Sequence, residues 1–404
     1  MSDRKGIIPM RQMVGLCCLL LLGATAQGAE PNGRVVYPAN TWVNITPKLK
    51  VAPGAVPAGQ TADRHWELHR FGGLTCRPET GEILVMDGAL HDTGIYASSV
   101  FGMDAASGTY TLYKATNWES SKTPSELNKT DPTPAPRHTY GAWVYVPEKK
   151  SAYLWSGANK TLGGGKDEQM GFWVFSFETG KWRRLDKCRN YPPGGFEQEM
   201  VWAPKLKKIY LFIPLSGFHQ DNVWSFDVDK EAWTSEGAKT RYECYAACFY
   251  DETRQTAVFP MAENREVAKT GKVHDLGAYH LETKKFEVLP VEGGRPGNVS
   301  PGNDAWCHLT KHDLYFGWSG GDGDENWVYD PNTRKWRQFL PAKNIPVKAQ
   351  MHVKIEYDSK NDLLVVCRQE KGAGQWWALR FDPATAKFAE PGAVAGQPRK
   401  EPSK

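Results

Sequence analysis

The chain has 404 residues, with 50 Lys and Arg against 46 Asp and Glu and a formal net charge of +4. That balance excludes a strong field directed at nucleic acid, and no stretch offers the roughly 18 consecutive apolar residues of a membrane-spanning helix. Aromatic residues are 12 % of the chain and tryptophan alone contributes 16, a composition suited to sheets packed face to face.

Residues 1–29 read as a secretory signal. Arg4, Lys5 and Arg11 precede an apolar run from Met13 to Leu22, and Ala24-Thr25-Ala26 and Gln27-Gly28-Ala29 each offer a small-x-small cleavage site. The run is too short to span a bilayer, so the expected location is secreted or periplasmic. Past the signal remain Cys76, Cys188, Cys244, Cys248, Cys307 and Cys367. An oxidising compartment would allow one or two disulfides among them, but Cys248, Cys307 and Cys367 also sit in apolar strand patterns, where a free thiol is a small core residue.

Residues 30–62 hold one strand, Thr41 to Ile45, and a Pro/Ala/Gly-rich linker, Val51 to Ala62. From there the chain repeats a four-strand meander joined by short polar turns such as Pro147-Glu148-Lys149-Lys150 and Asp358-Ser359-Lys360-Asn361. The first strands of the six units are expected at Phe71 to Cys76, Thr139 to Val146, Glu199 to Trp202, Tyr245 to Tyr250, Ala305 to Leu309 and His352 to Tyr357. Each unit closes on an aromatic seven residues after another apolar position. The pairs are Met103 and Tyr110, Phe175 and Trp182, Phe226 and Trp233, Tyr279 and Phe286, Tyr329 and Trp336, and Phe381 and Phe388. The closing residues step by 72, 51, 53, 50 and 52. A beat of about 50 residues marks units that cannot bury their own apolar faces alone.

Six such meanders over 63–390 predict an all-β, six-bladed β-propeller, with residues 391–404 a disordered tail. The last unit's own fourth strand, around Phe388, is short and polar. Trp42 to Ile45 is therefore expected on that outer edge as a latch between the last and first blades. A seventh, degenerate blade is the alternative, disfavoured because residues 31–62 supply only one or two strands.

The motifs resemble kelch repeats. Trp155-Ser156-Gly157 and Trp318-Ser319-Gly320-Gly321 end second strands in glycine, Tyr329-Asp330-Pro331-Asn332-Thr333 forms the aromatic-Asp-Pro-x-Thr turn, and Arg137-His138 follows a proline-rich run. The resemblance covers roughly residues 66 to 390 and departs from the strongest consensus in that only the fifth unit keeps the Gly-Gly pair. It implies a propeller of the galactose oxidase and kelch type. It leaves function open, because such propellers serve as binding scaffolds and as enzymes.

In a propeller, the segments entering the first strands gather at one end of the central channel. They carry His69, Arg137, His138, Tyr140, Glu197, Glu199, Arg241, Tyr242, Glu243, Asp304 and His352 as candidate ligand-binding residues. Arg forks suit carboxylates, and Tyr, His or Glu can move protons, so an anionic or polyhydroxyl ligand is expected. Any one of these side chains could equally just satisfy a strand end. Asp322-Gly323-Asp324-Glu325 lacks the remaining spacing of a calcium loop, and Gly163-Gly164-Gly165-Lys166 has no helix after it to make a phosphate loop. No cofactor or metal is expected.

Three readings follow, and whether the chain is an enzyme stays open between them. The first is a monomeric, secreted recognition module for a glycan or protein ligand. The second is a lyase or epimerase on an acidic sugar, using Arg137, His138, Arg241, Tyr242 and Glu243. The third, implied by the resemblance alone, is a copper radical oxidase, which needs two tyrosines (one linked to a cysteine) and two histidines.

Overall fold

The computed structural model describes residues 35–53, 56, 69, 72–90, 95–96, 98–115, 132–134, 137–157, 171–185, 191–194, 198–214, 222–238, 240, 248–260, 276–289, 304–319, 325–345, 354–370 and 373–390. Arg241, Tyr242, Glu243, Glu197, His352, Cys188, Cys244 and the signal-like segment lie outside these residues.

Six antiparallel sheets stand around a common axis. Their innermost strands are Gly73–Arg77, Trp143–Val146, Glu199–Ala203, Phe249–Asp251, Asp304–Leu309 and Lys354–Asp358, and each touches the next until the sixth touches the first. The ring is closed, and the fold is a six-bladed β-propeller. No described helix is long and apolar enough to cross a membrane.

Local sequence explains why the blades share one register. Every first-to-second connection is a four-residue turn whose last residue is left-handed: Gly81, Lys150, Lys207, Gln255, Asp313 and Asp362, with φ between 44° and 81°. Carboxylates hold several turns from within, as where Asp358 Oδ1 accepts the N–H groups of Lys360 and Asn361 and Asp104 Oδ1 accepts those of Ala106 and Ser107. The third-to-fourth turns repeat the device, so the seven-residue spacing of the marker aromatics becomes a cross-strand pair. Met103 faces Tyr110, Phe175 faces Trp182, Phe226 faces Trp233, Tyr279 faces Phe286 and Tyr329 faces Trp336. Side chains opposite one another on antiparallel strands pack directly, which is why the marker recurs.

Apolar residues form six clusters, one in each gap between neighbouring blades. No sheet buries itself; each is covered by its two neighbours. The ring therefore depends on how its last and first blades are joined. Val43–Asn44 pairs antiparallel with the third strand of blade six, supplying that blade's fourth strand as the repeat count requires. A single 3₁₀ turn, Thr46–Lys48, then carries the chain to Lys50–Val51, which pairs in parallel with the outer strand of blade one. One segment thus grips both sides of the closure, and the start of the expected linker is itself strand.

The sixth marker pair is a correction. Lys387–Phe388 is not the fourth strand of blade six; it lies antiparallel on the outer strand of blade five, with Phe388 opposite Phe339. The latch already occupies the edge of blade six, so the chain end takes the next free edge. The guanidinium of Arg337 covers the Phe388 ring at 3.9 Å. Of the six cysteines for which disulfides or free core thiols are the two readings, Cys76, Cys248, Cys307 and Cys367 are free thiols. They occupy packed strand positions, where free cysteine behaves as a small apolar side chain.

Candidate functional site: the central channel

A cavity of about 310 Å³ runs along the axis, lined from all six inner strands. Counting back from the shared turns sorts its wall into layers. One residue before each strand's end stand Cys76, Tyr145, Trp202, Tyr250, His308 and Tyr357. The next layer is Thr75, Val144, Val201, Phe249, Cys307 and Glu356, and the third is Leu74, Trp143, Met200, Cys248, Trp306 and Ile355. Above these lie Glu199, Ala305 and Lys354; the turn residues Pro78, Pro147, Glu252, Thr310 and Ser359 rim the other end.

The charged groups sit inside this mostly apolar shaft. Lys354 Nζ is 3.2 Å from Glu199 Oε1, with the two side chains 15 % and 8 % exposed. The Glu199 carboxylate also accepts the backbone N–H groups of Gly141 and Cys248. Burial raises its pKa, and Lys354 opposes the rise. Glu356 is pushed up to about 8, first by burial and then by the neighbouring Glu199 charge, with Lys354 acting against both. It has no ion pair among the described residues and accepts the Tyr357 backbone N–H. The channel thus sets the Lys354–Glu199 pair beside a carboxyl that burial keeps protonated up to about pH 8 and that can both donate and accept.

Gly141 makes the ion pair possible. A Cβ there would come within 1.6 Å of Glu199 Oε2. Gly141→Ala is expected to displace the carboxylate from Lys354 and to cost about 1–3 kcal/mol, read as a lowered denaturation midpoint. A midpoint equal to the parent's would mean that Glu199 has room to move.

Of the described residues singled out in the sequence, Glu199 alone is found in this wall. His69 is 1 % exposed between blades six and one, with Nδ1 2.9 Å from Asp87 Oδ1 and Nε2 2.6 Å from the Tyr110 hydroxyl, packed against Phe101 and Trp376. Arg137 is fully buried in blade two, where Nη1 donates to the Ser156 carbonyl at 2.8 Å; burial, with Arg184 nearby, lowers its pKa to about 9. Gly157, at φ +107°, leaves the room that Arg137 fills. The glycine of the kelch-like motif therefore seats an arginine inside the blade. His138 Nδ1 lies 3.1 Å from the Tyr140 hydroxyl, both residues buried, with Tyr140 at φ +53°. Asp304 opens the inner strand of blade five, opposite Ser319.

Sequence reasoning missed Lys354 and Glu356. The available signal was charge inside an apolar strand pattern, which became legible only when the six inner strands were aligned by their turns. Among the described residues one group, Asp251, His308 and Asp313, sets three metal-ligand side chains close together. Arg254 fills it: Nη1 donates to Asp251 Oδ2 at 2.8 Å and to Asp313 Oδ1 at 2.7 Å, and Nη2 to Asp313 Oδ2 at 2.8 Å. The guanidinium supplies the positive charge that a metal would bring.

No family model matches the chain, and no curated protein matches it in sequence.

Proposed function

We propose that this protein is an exported recognition module that binds a carbohydrate-sized polar ligand in its central channel. One observation carries the reading: a cavity of about 310 Å³ whose wall sets Glu356, Glu199 and Lys354 among apolar and aromatic side chains. Aromatic rings pack against the C–H faces of sugars, and a few fixed polar groups orient the hydroxyls. The volume suits a monosaccharide unit rather than a segment of a protein partner, so of the two expected ligand classes the glycan is favoured. Export rests on the basic and apolar pattern of residues 1–29, and N-terminal sequencing of the protein recovered outside the cytoplasm tests it.

The ligand test is a glycan array followed by calorimetry on the parent and on Trp202→Ala/Tyr250→Ala. Both side chains line the cavity and both are partly exposed, so the double variant should fold. It should also lose every glycan signal that the parent gives. Undiminished binding by the variant would move the ligand out of the channel.

A second reading, acid–base catalysis on the same class of ligand, is favoured by Glu356 alone. A carboxyl titrating at about 8 is matched to proton transfer near neutral pH. Turnover of any array ligand, abolished by Glu356→Gln with binding retained, would establish it. Arg137 and His138, which the sequence offered for a lyase, are buried in blade two rather than in the channel wall.

A further inference from the structure

The wall of the channel also bears on the charge of its ligand. Among the described residues three carboxyl groups line the cavity, those of Glu199, Glu252 and Glu356, against one ammonium, that of Lys354. That ammonium is already spent on Glu199. In a chain whose net charge is +4, the described wall of this shaft thus carries more carboxyl groups than cations. Just beyond the Glu356 layer, toward the turn end, stands the layer of Tyr145, Trp202, Tyr250 and Tyr357. Aromatic rings attract an ammonium and give a carboxylate nothing comparable. His308 stands in the same layer. It is 5 % exposed, and neither ring nitrogen makes a hydrogen bond. Its nearest carboxylate oxygens, Asp313 Oδ1 at 3.5 Å and Asp251 Oδ1 at 3.9 Å, belong to residues already engaged by Arg254.

We propose that the channel ligand carries a cationic amino group, seated within the aromatic layer and against Glu356, as in an amino sugar. The proposal rests on the recognition reading above. The added ammonium would pair the one channel glutamate of the inner strands that has no cation of its own. Burial holds Glu356 protonated to about pH 8, and a cation beside it supplies the counter-charge that lets it ionise in neutral solution.

The test uses three probes of one ring size that differ in charge: glucosamine, glucose and glucuronate. Each is titrated calorimetrically into the full chain and into Glu356→Gln, with thermal unfolding confirming that the variant is folded. Glucosamine should bind the parent about tenfold more tightly than glucose, and glucuronate most weakly. Glu356→Gln should reduce affinity for glucosamine about tenfold more than affinity for glucose. Equal binding of glucose and glucosamine, tightest binding of glucuronate, or a preference unchanged in Glu356→Gln would each overturn the cationic ligand while leaving a sugar-binding channel standing. Binding of none of the three would overturn both.

Discussion

Trp42→Ala is expected to lower the stability of the whole propeller by about 3–5 kcal/mol, the largest effect of any single substitution considered. The indole is fully buried in the apolar cluster between blades five and six, with its ring 6.2 Å from that of Phe316. Its Nε1–H donates to Asn326 Oδ1 at 2.9 Å, so truncation opens a large cavity and also removes a buried hydrogen bond. The position in the ring adds to this. Trp42 leads into the two residues that complete blade six, and Asn40, just before it, donates from Nδ2 to the Asp382 carbonyl at 3.0 Å and accepts the Asp382 N–H at 2.9 Å. A ring of mutually covering sheets that opens at one gap exposes two apolar faces together, so the loss should appear as one cooperative transition at lower denaturant. Val36→Ala, at an exposed position of the same segment, should move the midpoint by less than about 0.5 kcal/mol. A Trp42 variant as stable as the Val36 variant would mean that the inner-strand contacts hold the ring without the latch.

Glu356→Gln should make the protein more stable above about pH 8 and leave it nearly unchanged near pH 5. In the folded chain Glu356 titrates at about 8, against an ordinary value of 4.5 for an exposed glutamate. Between those two values the folded state holds a proton that the unfolded state has released. Stability must therefore fall as pH rises through that window, and above it the loss is complete. Each displaced pH unit is worth about 1.4 kcal/mol, and the water that the channel admits reduces the total to about 3 kcal/mol. Glutamine stays neutral, so the variant escapes the penalty. Denaturation midpoints of parent and variant at pH 5, 6.5 and 8 would measure it, and parallel curves would mean that Glu356 is ionised in the folded protein at neutral pH. The same group carries the ligand-charge proposal, so the pH series also establishes the protonation state from which a cation would have to displace it.

The repeat was legible because its cause is local. A four-residue turn with a left-handed final residue sets two strands in register, and an aromatic pair across the next turn recurs in any sheet built that way. The latch was legible by subtraction, since the last unit lacked a sound fourth strand and Trp42 to Ile45 had no sheet of its own. The placement of Lys387–Phe388 on blade five was not, because nothing in two residues says which of two neighbouring edges is free.

What the sequence by itself determined is the meander, its six-fold count and its closure, all consequences of turn chemistry and of the aromatic pair that recurs across each outer turn. What only the tertiary structure decided is the destination of the polar residues near those strands. His69 and Arg137 look as available in sequence as Glu199, yet the first two are enclosed between or within blades and the third borders a cavity. The physical reason is that an inner strand meets a neighbouring blade on each face and the axis along its edge. Periodicity reports burial and is silent on which of these does the burying. Lys354, two positions before Glu356 on the same strand, therefore reads as a charge in an apolar run until six strands are set side by side.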